Sequence, residues 1–265
     1  MYSMIISLAV GILIGLLTSR DLGVTWGIVC GVGAFLISQV IIMLILRKKI
    51  NRIQLGMQQT MQAAQARIAR QVQNFQQRPV GSPKMMQQKL ESMQNDALHE
   101  ALRMTTAFDP FYRWNWMLAK QINTMKMQLY FQLKDYAAVD KLLPKCLLFD
   151  ARSLAIKLVR MYKKEDPKLD TFYRKKCRRF KGEDGAFLSC VYAWIKLRQD
   201  DSAKALAALV EAKKNSDNAV LLTNYENLVN GRNKHFSNVG FGDNWYALYL
   251  EEPKVRPQKV QQRMY

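Results

Sequence analysis

Two apolar runs at the start of the chain constrain its fold more than any other feature. Residues 4–18 are MIISLAVGILIGLLT, and residues 24–46 contain no charged side chain. A helix needs about 20 apolar residues to cross the hydrocarbon core of a bilayer. The second run meets that length, and the first reaches the lower limit if it is extended to residue 2. We therefore expect a transmembrane helical hairpin over residues 1–49, with spans at about residues 2–19 and 24–46.

Two other interpretations of the apolar runs are weaker. A cleaved signal peptide would have a basic segment before the apolar run and a small-x-small cleavage site after it, and the sequence has neither. A hairpin buried in a soluble core would have to close through residues 19–23. Such a short loop between two long apolar helices is hard to place in a soluble domain.

Charges beside the runs predict the orientation of the hairpin. The loop at residues 19–23 has one Arg and one Asp, whereas Arg47, Lys48, Lys49 and Arg52 follow the second run. Positively charged flanks stay in the cytoplasm, so we expect an inner (plasma) membrane protein with both termini cytoplasmic. The four cysteines have no paired spacing, and free thiols fit a reducing compartment.

Small residues recur at helical spacing in both runs. Gly11 and Gly15 lie in the first, and Gly23, Gly27 and Gly31 form a stripe in the second. Lipid provides no hydrophobic drive between helices, so close packing over small residues has to hold them together. We assign helix packing in the membrane to these five glycines. The alternative is that Gly is simply common in membrane helices.

Apolar residues continue at helical spacing beyond the second run, in steps of three and four that give an eleven-residue period. This seam predicts that the second span continues as an extended amphipathic helix over residues 50–78. The seam could pair with copies of the chain, giving a homo-oligomer through residues 50–75. It could also fold onto later helices, or the segment could be a disordered linker. The seam residues are Ile50, Ile53, Met57, Met61, Ala64, Ile68, Val72 and Phe75.

Proline signals divide the rest of the chain. A break is expected at residues 78–81, and Ser82-Pro83, Asp109-Pro110 and Asp166-Pro167 each have a capping residue followed by a Pro suited to the first helical position. We expect a linker and helix over residues 79–109, a helical domain over 110–250 and a basic tail over 251–265. The fold class is therefore all-α.

Aromatic residues recur within the helical domain. Tyr130, Tyr162, Trp194 and Tyr225 are separated by 32, 32 and 31 residues, mostly with bulky apolar residues three and four positions before them. This pattern resembles the first helix of the tetratricopeptide (TPR) repeat. The resemblance implies stacked helical hairpins over residues 110 to about 230, with these four aromatics in the repeat core. The period differs from the family's 34, and Lys134 stands where the family's link has Gly.

The layout of two N-terminal spans followed by TPR-like hairpins is similar to that of bacterial HemY-type inner-membrane proteins. The loop between the spans is much shorter here, and no function is carried over from that resemblance.

The chain carries a formal charge of +19, and part of this excess is clustered in residues 163–181. The cluster could be a solvated basic face, or it could bind anionic lipid headgroups or an acidic protein. Nucleic acid lacks support, since no zinc-finger, helix-turn-helix or RNA-binding signature is present. We assign the basic face to Lys163, Lys164, Arg174, Lys175, Arg178, Arg179 and Lys181.

The sequence contains no recognisable catalytic, cofactor-binding or metal-binding motif. It contains no GxSxG, HExxH, phosphate-binding loop or GxGxxG pattern, and His99 and His235 have no ligand-spaced partners for a metal. We expect no cofactor and no catalytic activity. The expected function is a membrane-anchored helical-repeat scaffold or adaptor that offers a concave surface to a partner protein. The alternative is a basic cytoplasmic domain that binds anionic lipid or nucleic acid.

Overall fold

The computed structural model describes residues 2–77, 82–114 and 116–252, and the regular elements within these ranges are all helical. The all-α prediction is confirmed. The chain divides into two compact units, Met1–Leu147 and Leu148–Tyr265. Each unit is described by itself below.

The first unit contains five α-helices and two 3₁₀ segments among its described residues. The helices are α1 (Tyr2–Leu22), α2 (Val24–Gln77), α3 (Pro83–Met104), α4 (Trp116–Gln132) and α5 (Tyr136–Leu142). The 3₁₀ segments are Thr105–Phe111 and Leu143–Lys145.

Helices α1 and α2 form an antiparallel hairpin with a shorter connection than expected. Helix α1 continues to Leu22, so Gly23 alone separates the two helices. Gly23 has φ of +91°, a conformation that glycine reaches without steric cost. The hydroxyls of Thr18 and Ser19 donate to helix carbonyls one turn back, at 2.8 and 2.9 Å, which satisfies polar groups at the end of α1.

Helix α2 continues without interruption from the apolar run into the glutamine-rich stretch, as predicted. Its seam packs against later helices of the same chain. Ile50 and Ile53 lie against a cluster around Phe108, Leu118 and Ile122. Met57 and Met61 lie against a second cluster of Leu98, Ala101 and Leu129. Pairing of α2 with copies of the chain would need the same side chains.

Helix α3 runs back along α2. A methyl group at Gly56 would lie 3.8 Å from Met104 at the end of α3, and Phe75 and Met86 line one cleft near its start. Ser82 caps α3 as predicted, because its hydroxyl accepts a 3.3 Å hydrogen bond from the Met85 amide. The expected break at residues 78–81 lies outside the described residues.

The helix start predicted at Asp109-Pro110 is wrong. The chain passes from α3 directly into the 3₁₀ segment Thr105–Phe111, so Pro110 lies inside a helical turn and α4 begins at Trp116. The Asp109 carboxylate lies 3.8 Å from the Lys126 ammonium instead of capping a helix. At Asp166-Pro167 the carboxylate accepts from the Lys168 amide at 2.8 Å, and the following helix begins two residues later than expected, at Leu169.

The second unit contains six α-helices, a π-helical turn and two 3₁₀ segments among its described residues. The helices are α6 (Ala151–Lys163), α7 (Leu169–Phe172), α8 (Gly182–Arg198), α9 (Ser202–Lys213), α10 (Ala219–Val229) and α11 (Asp243–Tyr246). The π-helical turn is Tyr173–Cys177, and the 3₁₀ segments are Asn233–His235 and Val239–Phe241.

One turn motif ends α4, α6, α8 and α10. A residue with left-handed φ follows each helix, and the next amide bonds to a carbonyl five residues earlier, which is the Schellman arrangement. The left-handed residues are Lys134, Glu165, Asp200 and Gly231. The repeating aromatics precede them by 4, 3, 6 and 6 positions, so the aromatics do not hold one position relative to the helix ends.

Helix α8 is the centre of the second unit. Residues 185–196 are all buried, which requires neighbours on every side of the helix. Contacts come from α6, α9 and α10. The C-terminal segment, residues 232–252, covers α8 as well. Its Asn238 side chain donates a 3.0 Å hydrogen bond to the Cys190 carbonyl, and its Trp245 is fully buried.

Candidate functional site

Four glycines bring the backbones of α1 and α2 into close contact. A methyl group at Gly11 or Gly31 would lie 2.9 Å from the carbonyl oxygen of the other residue, and one at Gly15 would lie 3.1 Å from the Gly27 carbonyl. Side chains larger than hydrogen would therefore separate the helices. Gly23, which was predicted in the same stripe, lies in the turn, and a methyl group there would meet nothing within 4 Å.

The outward side of this hairpin is apolar and exposed. By length and composition alone, Tyr2–Asp21 and Val24–Gln77 could cross a membrane, with mean hydropathies of 2.0 and 2.6 in their most apolar windows. Protein buries only 11% and 0% of those windows. Leu16 and Leu44, for example, are 67% and 58% exposed. The helices therefore do not behave as core helices of a soluble domain, which would be mostly buried.

An aromatic stretch that the sequence analysis did not single out lies at the start of α1. The Tyr2 amide donates a 3.1 Å hydrogen bond to the Arg113 carbonyl, and the Ser3 hydroxyl donates to the Trp114 carbonyl at the same distance. The rings of Tyr2 and Trp114 meet edge to face at 6.0 Å. The signal was available in FYRWNW at residues 111–116, because Trp and Tyr concentrate at membrane–water interfaces.

The seven predicted basic-face residues are all exposed, together with Lys168 and Lys176. We call these nine side chains the basic ridge. Arg178 pairs with Glu211, and the Arg179 guanidinium lies 5.9 Å from the Phe180 ring. Within the described residues, no carboxylate pairs with Arg174, Lys175 or Lys181. Apart from Lys164 and Arg178, no member of the ridge pairs with a carboxylate of the described residues, so most of the ridge's positive charge is uncompensated.

A buried polar network holds the inner side of the ridge. The rings of Tyr173 and Tyr192 stack with centroids 3.8 Å apart, and the Tyr173 hydroxyl hydrogen-bonds the Ser189 hydroxyl at 2.9 Å. The Asp170 carboxylate pairs with Lys196, whose side chain is 8% exposed. These contacts hold α7 and the π-helical turn against α8, so the cations of the turn project from a packed base.

Titration of the network follows from its burial and charge. Burial alone would raise the pKa of the Asp170 carboxyl, but hydrogen bonds from Lys196 and Lys204 outweigh it and hold that pKa below its usual value. Burial raises the pKa of Tyr173 and of Cys177 to about 12. The tyrosine and the thiol are therefore neutral at physiological pH, and the network carries charge only on its carboxylates and lysines.

The four predicted repeat aromatics differ in their surroundings. Trp194 is buried, whereas Tyr130, Tyr162 and Tyr225 are half-buried. Tyr162 and Trp194 meet edge to face at 6.0 Å. The Trp194 indole donates a 2.7 Å hydrogen bond to Glu251 of the C-terminal segment.

No group of three or more His, Cys, Asp or Glu side chains within residues 2–77, 82–114 and 116–252 is arranged to hold a metal ion. Protein-family models, curated proteins and solved structures give no match to this chain. Among the features expected from the sequence, the fold class and the two apolar N-terminal helices are therefore the ones established here.

Proposed function

We propose that this chain is an integral inner-membrane protein with both termini in the cytoplasm, and that it acts as a non-catalytic adaptor. In this proposal the basic ridge docks an acidic partner protein. The observation that carries the proposal is the combination of an exposed apolar hairpin in one unit with a rigid, largely uncompensated basic surface in the other.

Exposure of the hairpin supports membrane insertion. Monomeric soluble proteins rarely show contiguous apolar patches larger than a few hundred Å², and the hairpin exposes large apolar side chains along residues 2–17 of α1 and 24–45 of α2. The backbone polar groups of α1 and α2 are satisfied within the helices, which a bilayer core requires. Arg47 and Lys48, directly after the apolar run, suit the headgroup region of the cytoplasmic leaflet.

The ridge suits a partner protein better than the inner face of the helical repeat does. A concave binding surface would need an open face on α8, but the chain's own C-terminal segment covers this helix. The ring centroids of Phe187 and Phe241 lie 5.4 Å apart, and those of Trp194 and Trp245 lie 5.6 Å apart. The ridge is exposed and positively charged, and its inner side is fixed. A rigid charged surface gives partner specificity and fast association by electrostatic complementarity.

Anionic lipid is the second candidate for the ridge, because each Lys or Arg near an anionic membrane surface contributes about 1 kcal/mol. The salt dependence of binding distinguishes anionic lipid and nucleic acid from the acidic partner protein of the first proposal. Binding that falls steeply with salt and is equal for any polyanion would favour a general anion-binding surface over a specific protein partner.

Photo-crosslinking in native membranes tests the proposal. A photoreactive benzoylphenylalanine at position 175 of the full-length chain should give one discrete protein adduct, and carbonate extraction should leave the chain in the membrane pellet. Charge reversal of Arg174, Lys176 and Lys181 to Glu should lower the adduct yield about tenfold or more. Release of the chain by carbonate would contradict membrane insertion.

A matched variant controls for net charge. Lys214, Arg232 and Lys234 are exposed cations of the same unit that lie outside the ridge. Reversing these three to Glu changes the net charge by the same amount and should leave the adduct yield unchanged. Equal loss in both triple variants would show that the ridge has no specific role. Crosslinking to lipid instead of protein would favour the second candidate.

A further inference from the structure

A cleft of about 690 Å³ opens in the first unit beside the start of α1. Three exposed cations line it, and they come from three separate elements: Arg113 follows the 3₁₀ segment Thr105–Phe111, Lys120 lies on α4, and Lys145 ends the 3₁₀ segment Leu143–Lys145. The remaining lining residues are Tyr2, Tyr112, Ala119, Asn123 and Pro144. No acidic residue is among these lining residues, so the formal charges that they carry are all positive.

The cleft lies at the level where the apolar hairpin ends. Tyr2 begins α1, and the neighbouring residues Ser3 and Met4 share a second cleft with Leu46 and Arg47 on α2. Residue 46 is the last of the apolar run, and the basic flank starts at residue 47. In a bilayer this level corresponds to the cytoplasmic headgroup region, where phosphate groups are concentrated.

Side chains around the cleft are arranged for an amphipathic ligand. Arginine and lysine donate charge-assisted hydrogen bonds to phosphate oxygens. Tyr2 and the Asn123 amide, which also donates to the Lys145 carbonyl at 3.4 Å, add further polar groups. The apolar hairpin adjoins the cleft through Tyr2, so acyl chains could continue along α1. Burial, and to a smaller extent the charge of the Asp109 carboxylate, raises the pKa of Tyr112 to about 12. That carboxylate also lies 3.8 Å from Lys126 and does not line the cleft.

We propose that this cleft binds the phosphate headgroup of one anionic phospholipid from the cytoplasmic leaflet. The inference rests on the proposed membrane insertion, and it is separate from the basic ridge, which belongs to the other unit. Basic clefts at the cytoplasmic ends of transmembrane helices are suited to anionic headgroups because each cation gains attraction at a surface already rich in phosphate. The bound lipid would join the soluble part of the first unit to the hairpin.

Native mass spectrometry of the full-length chain in detergent tests this site. Titration with phosphatidylglycerol should show one lipid bound about tenfold or more tightly than phosphatidylcholine. The double variant Lys120→Gln/Lys145→Gln should lose this preference. The matched variant Lys84→Gln/Lys89→Gln, which changes two exposed lysines on α3, should retain it.

A second variant separates loss of binding from loss of folding. Ala119→Trp would fill the cleft while keeping every charge, and it should also abolish the preference for phosphatidylglycerol. Binding that persists in both cleft variants would overturn the proposal. Equal displacement of the lipid by millimolar inorganic phosphate would overturn it too, because the site would then hold a free anion. Carbonate extraction of the membranes, before they are dissolved in detergent, tests insertion separately, so failure of the site and failure of the membrane proposal give different results.

Discussion

Gly27 shows how one absent methyl group sets the geometry of the hairpin. A Cβ atom at Gly27 would lie 2.5 Å from the Cβ of Ser19 and 2.8 Å from the Gly15 carbonyl oxygen. We expect Gly27→Ala to destabilise the hairpin by about 1–3 kcal/mol, because the helices must separate or shift. Titration of the full-length chain with sodium dodecyl sulfate in mixed micelles measures this loss.

Gly33 supplies the control for Gly27. It lies on the same helix, and a methyl group there would meet no atom within 4 Å. Gly33→Ala should therefore change the free energy of unfolding only by the difference in helix propensity between Gly and Ala, about 1 kcal/mol or less. Equal destabilisation by both substitutions would show that the close approach of α1 and α2 is not what stabilises the hairpin.

Asp170 controls the network beneath the basic ridge. Its folded-state pKa is lowered, so its contribution to stability is complete above the unfolded value of 3.8 and is lost as pH falls through the folded value. Asp170→Asn leaves the buried Lys196 ammonium without its carboxylate, and we expect a loss of about 2–4 kcal/mol at neutral pH. The wild-type chain should lose stability below about pH 4, whereas the variant should depend less on pH there.

Thiol modification during urea unfolding measures this effect in the second unit. Cys177 and Cys190 are buried there, and burial raises the pKa of both thiols to about 12, so they react after unfolding. The double variant Asp170→Asn/Lys196→Met should recover much of the lost stability, since it removes the uncompensated charge. No recovery would show that the carboxylate acts through other partners.

The local sequence predicts the packing contacts of some of these residues better than those of others. The spacing of Gly11, Gly15, Gly27 and Gly31 is visible within two neighbouring helices, and close packing follows from it. The partners of Asp170 are 26 and 34 positions away, at Lys196 and Lys204. Nothing in the local pattern links them, because the contact exists only after three helices have packed together.

At the scale of elements, the sequence predicts helix content well and helix ends less well. The cap at Ser82 was predictable because the hydroxyl acts on an amide three residues away. At Asp109-Pro110 the same local signal failed, since the chain was already in a 3₁₀ turn continuing from α3. The left-handed residues Lys134 and Asp200 could not be predicted from their side chains, which do not favour that conformation as glycine does.

Packing of α3 against α2 is the element-scale contact that covers part of the glutamine-rich seam with a later helix of the same chain. Leu98 is 1% exposed in the cluster that contacts Met57 and Met61. Leu98→Ala should destabilise this contact by about 2–5 kcal/mol, and trypsin should then cleave α2 faster at Arg67 and Arg70. The rate of appearance of these cleavage products from the full-length chain is the measurement.

His99 provides the adjacent control on α3. It is exposed, so His99→Ala should change stability by about 0.5 kcal/mol or less and leave the cleavage rate unchanged. Similar cleavage rates in the two variants would mean that α3 does not protect α2.

At the scale of the whole molecule, the division into units differs from the pattern of the sequence. Composition and prolines suggested a boundary near residue 110, but the contacts divide the chain between residues 147 and 148. The reason is that α4 packs on the seam of α2, through Leu118 and Ile122 against Ile50 and Ile53. A repeat pattern identifies similar helices, but it does not show which of them pack on the membrane-proximal helix.

Membrane topology is the whole-molecule prediction that the charges and the fold make together. Tyr2 bonds to Arg113 within the first unit, so the start of the chain and the region after α2 must lie on the same side of the membrane. The excess of Arg and Lys after residue 46 selects the cytoplasmic side. Asp21, at the opposite end of the hairpin, should then lie outside the cytoplasm.

Cysteines introduced one at a time test this topology, in a background where Cys30 and Cys146 are changed to Ser and the native Cys177 and Cys190 are buried. In intact cells a membrane-impermeant maleimide should label Asp21→Cys but not Lys84→Cys, and permeabilisation should allow labelling of Lys84→Cys. Neutralising Arg47, Lys48, Lys49 and Arg52 to Gln removes the charge that selects the orientation, so a mixed population with partial labelling at both positions is expected. Labelling of Lys84→Cys in intact cells expressing the otherwise unaltered chain would reverse the assigned orientation, and protection of both positions would argue that the hairpin does not cross the bilayer.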